Sequence, residues 1–410
     1  MVDHRPLAAA CSIGDRFVDW QAPAGRPDPH RCPWVSQSPF FLPVHSHAPP
    51  VMARALYQLF DRTANQRYKT AADRYAIFTI GYPRNPVAPW DDRLRNVRVE
   101  RRLLDNPQEL FNPQGANHHN SRSWMYGSAL DPALSEFRRH NPEDDCFDAV
   151  GDALFDWLQA HRVDRDQAYN IGYPPGVAPD AAVPDAAYTD DLRQAASGLV
   201  GYYELTRRPE VLDSAVRLAD FFLRPHQPGS ADGSFVESLG TWCICPWPVV
   251  ARIEHFSDVR LDQAGWGFSA RGIVEFLSRL HALLPVDHPR AELMRDRCTR
   301  SLRWQFTCQF ANGAVGMHGQ DDEWLGMAAA AVLAYDDVRR AGWLDDAAIG
   351  ELKPKVDAAS RWLVENATEE FIESGGYRKI TGRSTPWPPE NTLWLLAWTL
   401  EALIRLDNGA

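Results

Sequence analysis

Apolar residues recur along this chain at helical spacing, and polar, aromatic-rich clusters interrupt the helical stretches. Leu192, Ala195, Ala196, Leu199 and Tyr203 fall on one face of a helix, and Val211, Ala215, Leu218, Ala219 and Phe222 repeat the pattern after a break at 206–209. Two amphipathic helices with so short a connection fold back as an antiparallel hairpin. The same template fits 263–310 and 321–366. A further pair lies between 50 and 80, where Val51, Ala55, Leu56 and Leu59 carry the first stripe and Ala71, Ala72, Tyr75 and Ala76 begin the second. The stretch 391–406 predicts a single helix with no partner after it.

The polar clusters centre near His45, His118, Asp190, Asp262, Asp321 and Glu390. They follow one another at intervals of roughly 60–70 residues, room for two helices and their loops, and a fixed period of this kind names an architecture. The expected fold is all-α, an (α/α)6 toroid of inner and outer helices spanning 45–410 as one domain. The run 327–333 is small and apolar throughout, as an inner helix buried on every side requires. Residues 1–44, rich in Pro and carrying Trp20, Trp34, Phe40 and Phe41, read as an ordered arm wrapping that domain, and a helix from this arm is expected to close the ring. The stretches 84–116, 162–188, 225–260 and 366–387 lack helical period and read as long connections of the kind that carry function.

Composition narrows the field. The chain has 410 residues, 45% hydrophobic and 24% charged, enough for a large core. A net charge of −11 with scattered basic residues excludes a nucleic-acid footprint. No apolar run reaches the length of a membrane span, and the N-terminus lacks the apolar core of a signal peptide. Seven cysteines, an odd count, suit reduced thiols and a cytoplasmic setting. No nucleotide-binding glycine motif and no metal-ligand spacing occurs, so no cofactor and no metal are expected. The expected partner is an oligosaccharide or another small molecule. The sequence does not specify an oligomeric state.

Candidate chemistry concentrates in two stretches. The densest is 117–126, where His118, His119, Asn120, Arg122, Trp124 and Tyr126 follow one another. The second is 318–324, with His318, Gln320, Asp321, Asp322 and Trp324 preceded by spaced glycines. Asp190-Asp191, Asp262-Gln263, Asp321-Asp322 and Glu390-Asn391 each stand where an inner helix would start. One member can cap the helix while its neighbour faces the cavity. A carboxylate pair across the ring, Asp190 or Asp191 facing Asp322 or Glu390, suits acid–base cleavage of a glycosidic bond. Arg54, Arg122, Arg193 and Arg271 follow these starts, either as ion-pair partners of the acids or as forks for a substrate carboxylate. His45, His47, Tyr203, Trp242, Trp266, Tyr377 and Trp387 complete the expected substrate-binding set, with aromatic faces for sugar rings. The expected roles divide: His118, His119, Asn120, Arg122, Tyr126, Asp190 and Asp322 for chemistry, the others for binding.

The pattern resembles the (α/α) toroid carbohydrate-active enzymes over about 45–406. Within that group the 117–126 segment is similar to the Asn-Asn-His-Ser-Tyr-Trp segment of alginate-lyase-type polysaccharide lyases, with Asn117, His118 and Trp124, or His119, Asn120 and Trp124, in the matching places. The resemblance implies β-elimination on a uronate, with Asn120, His118 or His119 and Arg122 around the carboxylate. It implies a Tyr that moves the proton, for which Tyr126, Tyr202 and Tyr203 compete. An inverting-type glycoside hydrolase using a carboxylate pair is the alternative. An isoprenoid cyclase lacks its DxDD or DDxxD acid motif here, and a non-catalytic sugar-binding protein is a further reading.

Overall fold

The computed structural model describes residues 5–19, 48–81, 134–144, 152, 155–156, 159, 189–228, 233–244, 250–251, 259–317, 322–373, 376–379 and 393–408. Twelve α-helices lie among them: α1 (Arg5–Asp19), α2 (Ala48–Thr63), α3 (Gln66–Gly81), α4 (Leu134–His140), α5 (Thr189–Thr206), α6 (Pro209–Leu223), α7 (Gly267–Leu283), α8 (Ala291–Gln305), α9 (Leu325–Arg340), α10 (Asp346–Asn366), α11 (Glu369–Glu373) and α12 (Leu393–Asn408).

Six of these form an inner ring. Each packs on the next in the order α2, α12, α9, α7, α5, α4 and back to α2. Outside them, α3 backs α2, α6 backs α5, α8 backs α7 and α10 backs α9. The helical residues Asp152, Phe155 and Gln159 pack against α5 and α6. Asp152 accepts from the hydroxyl of Tyr202, the Phe155 ring lies 5.8 Å from that of Tyr202, and Ser214 donates to Gln159. The last inner helix has no successor in sequence, and α1 from the N-terminus packs on it instead. Ala10, Ile13 and Phe17 are the buried face that α1 brings to the shared core. The whole is an (α/α)6 toroid.

Burial follows position in the ring. In α9 every residue from Leu325 to Tyr335 is buried, the condition under which only a helix apolar on all sides is stable. The outer α10 buries a single stripe, Leu352, Val356, Ala359, Trp362 and Leu363, and is capped by Asp345, whose carboxylate accepts from the Ala348 amide. Inner-to-outer turns are tight and repeat one another. Thr63 and Thr206 each donate their hydroxyl to the carbonyl four residues back, and the next residue, Ala64 or Arg207, turns the chain with a positive φ. Gly342 does the same after α9.

Short antiparallel ladders sit in the outer-to-inner connections: β1 (Phe235–Val236) with β2 (Thr241–Trp242), β3 (Val250–Ala251) with β4 (Val259–Arg260), and β5 (Asp322–Trp324) with β6 (Tyr377–Lys379). The stretch 225–260 therefore holds β1 to β4, and 366–387 holds α11 and β6, rather than coil alone.

Candidate active site

The inner helices run parallel, because they touch at matched depth. A Cβ on Gly267, which opens α7, would meet Met327 near the start of α9, and one on Gly326 would meet Leu395 near the start of α12. Further in, Arg193 of α5 passes over Gly272 of α7, where a Cβ would come within 2.0 Å of the arginine Cδ. At the opposite end, Arg279 meets Glu204 at 2.7 Å and Arg62 meets Asp407 at 2.5 Å. The helix N-termini thus share one end of the ring. Their aligned peptide dipoles give that mouth a positive potential suited to an anion.

An aromatic series descends from the mouth. Trp266 and Phe268 have ring centroids 4.7 Å apart, Phe268 meets Trp394 edge-on at 5.2 Å, and Trp394 meets Trp398 edge-on at 4.8 Å. The Arg271 guanidinium lies 5.8 Å from the Trp398 ring. All five side chains are buried. Trp266 and Trp324 hold the N-cap positions of α7 and α9 with extended backbone. The acids therefore stand ahead of the helices rather than in them. Asp322 is a strand residue of β5, paired with Lys379, and Asp262 lies in a 3-10 turn, Leu261–Gln263. The expectation that both open an inner helix is corrected here: the tryptophans take the boundary.

Below the aromatics the ring is closed by charge. Arg54 donates to Glu275 at 2.5 Å and to Glu401 at 2.9 Å. Arg271, fully buried, lies 2.9 Å from Asp337 and 3.2 Å from Glu275. Arg405 reaches Asp337 at 2.6 Å and Glu401 at 2.7 Å. Burial alone would raise the Glu275 and Glu401 carboxyls. The guanidiniums, Arg54 foremost, more than reverse this and hold both below the ordinary carboxylate range. A cavity of about 210 Å³ lies on the far side, lined by Arg54, Gln58, Ser135, Glu136, Glu204, Glu275, Arg279, Glu401 and Arg405. Sequence reasoning overlooked these acids. Their signal is a glutamate inside an otherwise apolar stripe, as in Glu275 and Glu401, which only a buried cation explains.

The expected site residues divide. Arg193, Trp266, Asp322 and Trp324 stand at or near the starts of α5, α7 and α9, and all four are buried. Asp190 and Asp191 lie in the first turn of α5, and Tyr377 in β6 opposite Trp324. Four further expected residues have the following surroundings. Trp242 is 1% exposed and donates its indole N–H to the Phe222 carbonyl at 2.7 Å, the geometry of a core tryptophan. Asp262 is fully buried and ion-paired with Arg260, while Gln263 beside it is exposed. Arg271 lies within ion-pair distance of Asp337 and Glu275. Tyr203 stands near the far end of α5, about 20 Å along the helix from the mouth, with the Arg207 guanidinium over its ring. His45, His47, His118, His119, Asn120, Arg122, Trp124, Tyr126, His318, Gln320, Asp321, Trp387, Glu390 and Asn391 lie outside the described residues. Among the described residues no group of His, Cys, Asp and Glu could hold a metal ion, and no helix is long and apolar enough to cross a membrane.

No family model and no curated protein sequence matches the chain. Solved structures do. A glycosyl hydrolase family 88 protein from Bacteroides vulgatus matches with a TM-score of 0.60 at 10% identity, covering 99% of each chain. The unsaturated glucuronyl hydrolase of Bacillus sp. GL1, described as responsible for degradation of glycosaminoglycan, matches with a TM-score of 0.60 at 14% identity, over 99% of this chain and 97% of its own. A polysaccharide lyase matches with a TM-score of 0.56 at 11% identity, over 97% and 98%. At these identities the likeness is one of fold: the toroid here is the one those carbohydrate-active enzymes use.

Proposed function

We propose that this protein is a carbohydrate-active enzyme that cleaves a glycosidic linkage beside a uronate in an oligosaccharide. The observation that carries the reading is the mouth. Parallel helix N-termini offer a positive field to a carboxylate, Arg193 adds a guanidinium one turn below, and Trp266, Phe268 and Trp394 line the same end of the ring with apolar rings. The toroid enzymes that the chain is similar to, by their names, process unsaturated glucuronyl ends and polysaccharides.

The first reading of the reaction is β-elimination. Taking the C5 proton of a uronate leaves enolate-like charge on its carboxylate, which arginine and amide donors stabilise, and an imidazole or phenol within reach moves the protons. The 117–126 segment holds all of these: His118 and His119, Asn120, Arg122 and Tyr126. The second reading is hydrolysis by a carboxylate pair. Asp322, a buried carboxylate in the strand that leads into α9, supports it. Asp190 or Asp191 would be its partner. The net charge of −11 favours a short substrate over a long polyanion, which it would repel.

Three substrate sets test the proposal: saturated uronate oligosaccharides, oligosaccharides ending in a C4–C5 unsaturated uronate, and neutral oligosaccharides. β-Elimination raises ultraviolet absorbance with the first set. Hydrolysis of an unsaturated end lowers it with the second, as the released sugar loses its conjugated alkene. Hydrolysis of saturated chains gives new reducing ends without absorbance change. Activity on none of the sets, or on the neutral set alone, overturns the uronate reading.

A further inference from the structure

Two walls of the mouth are joined through a single residue. Ile244 donates its N–H to the Ala264 carbonyl at 2.8 Å, and its own carbonyl accepts from the Thr189 N–H at 3.0 Å. Thr189 is the first residue of α5, and Ala264 stands two residues before Trp266, the N-cap of α7. All three residues are buried, Thr189 wholly so. A displacement of Ile244 therefore shifts the start of α5, with Asp190, Asp191 and Arg193, against the entry to α7, with Trp266.

Ile244 is held in turn from outside the ring. Cys243 before it donates to the Ser234 carbonyl at 2.9 Å, so the β1–β2 hairpin continues to this point. Gly240 turns the hairpin with a φ of 74°, where an L side chain is disfavoured. Thr241 and Ser301 of α8, both wholly buried, join their hydroxyls at 2.8 Å. Trp242 donates its indole N–H to the Phe222 carbonyl of α6 at 2.7 Å. On β1, the Phe235 ring meets Trp242 edge-on at 5.6 Å and lies under the guanidiniums of Arg297 and Arg300 of α8, at 4.1 and 4.9 Å. The fit against the entry to α7 has no slack. A Cβ on Gly265 would come within 2.7 Å of Thr241 Cγ2 and 2.9 Å of the Trp304 ring. The strand 241–244 thus transmits the placement of two outer helices to the mouth.

We propose that Thr241 and Trp242 are positioning residues, which through Ile244 set the separation between the α5 and α7 walls of the mouth. The inference rests on the reading of that mouth as the substrate site. Neither side chain has to touch substrate. Thr241 acts through a hydroxyl pair that is costly to break, because the hydroxyl left behind is buried and regains no water. Without that pair the end of the strand is free to shift. A misplacement of about 1 Å between groups on opposite walls lowers the rate about 100-fold. A framework role alone predicts something else: lower stability, with every folded molecule fully active.

Thr241→Val keeps the shape of the side chain and removes its hydroxyl, while Thr241→Ser keeps the hydroxyl. Val356→Ala, in the buried stripe of α10, is a control destabilised away from the mouth. The ratio kcat/KM is measured per folded molecule on whichever oligosaccharide set the wild type cleaves. Thr241→Val should lose at least about tenfold, the scale of a sub-ångström misplacement. Trp242→Phe, which keeps a ring and loses the indole N–H, should fall with it. Thr241→Ser should recover most of the loss, and Val356→Ala should lose none. Hydrogen exchange needs no substrate: in Thr241→Val the Thr189 and Ile244 amides should lose protection together, by about tenfold. Full activity in Thr241→Val, or a fall that Val356→Ala matches, overturns the proposal. So does an Ile244 amide that loosens while that of Thr189 does not. A wild type inactive on every set overturns the reading of the mouth, and this inference with it. An active wild type whose amides do not respond to Thr241→Val overturns this inference alone.

Discussion

Arg54 and Glu275, 221 residues apart in sequence, meet at 2.5 Å in the middle of the ring. Neither helix neighbours the other around the inner ring, so the contact crosses its axis. Glu401 takes the second Nη of Arg54, and Arg271 lies at 3.2 Å from the same glutamate. Removing one partner strands the other charges away from water. Arg54→Met should therefore cost about 3–5 kcal/mol in urea unfolding, the scale of a broken buried pair. A loss under about 1 kcal/mol would show that water already reaches the network.

The same network sets the response to acid. Glu275 and Glu401 are held below their ordinary range by the surrounding guanidiniums, against the effect of burial. A carboxylate with a depressed folded-state pKa contributes stability that is present above its unfolded value and lost as pH falls through the folded one. Stability should thus fall steeply below about pH 4, the unfolded value of glutamate. Glu275→Gln should lower stability at neutral pH and flatten that acid limb. An acid limb of unchanged slope contradicts the assignment.

Gly272 makes room for Arg193. An added methyl would sit 2.0 Å from Cδ and 2.5 Å from Nε of that side chain, so Gly272→Ala must push the guanidinium aside. If Arg193 holds a substrate carboxylate, as proposed, KM for a uronate substrate should rise about tenfold while kcat changes little, the mark of lost uniform binding. Overpacking should cost about 1–3 kcal/mol. An unchanged KM with that stability loss would leave Arg193 a framework residue.

The helix pairs could be read from sequence because each inner or outer helix carries its own 3.6-residue period. Residues 190–224 became Thr189–Thr206 and Pro209–Leu223, and 391–406 became Leu393–Asn408. The N-terminal helix that closes the ring was likewise implied by an unpartnered last helix. The charge network was not readable in its pairings, because which acid meets which arginine across the axis depends on helix rotation, not spacing. Arg54 and Arg271 were legible as ion-pair candidates, yet their partners are Glu275, Glu401 and Asp337 rather than the acids at helix starts. The partners of Trp242 and Asp262 were not legible for a different reason. Each sits in a connection without period, where the hairpin that buries Trp242 and the turn that buries Asp262 follow from tertiary contact alone.

The repeated turns carry strain that glycine would relieve. Ala64 and Arg207 hold φ near 55° and 57°, where an L side chain is disfavoured by about 1–2 kcal/mol. Gly342 occupies the same place after α9. Ala64→Gly and Arg207→Gly should each stabilise by about 0.5–1 kcal/mol, after the greater chain entropy of glycine when unfolded is subtracted. Arg207 also covers Tyr203 at 5.5 Å, so its gain should be the smaller. Destabilisation at Ala64 would mean that its methyl packs more than its backbone strains.

The two reactions proposed for the mouth separate by which side chain must carry the proton. An imidazole exchanges protons near neutral pH unaided, whereas a carboxyl has to be shifted by its surroundings before it can donate one. In the elimination reading, His118→Ala or His119→Ala should lower kcat at least about 100-fold for one of the two, the usual scale of a lost acid–base group. The melting temperature should change little, and Asp190→Asn, Asp191→Asn and Asp322→Asn should act mainly on KM. In the hydrolase reading the outcome inverts: Asp322→Asn, or one of Asp190→Asn and Asp191→Asn, abolishes kcat while both histidine variants stay active. Product absorbance measured on the same variants decides independently, since the elimination generates a conjugated alkene and hydrolysis does not. Active histidine variants together with an inactive aspartate variant and no new absorbance would discard β-elimination for this protein.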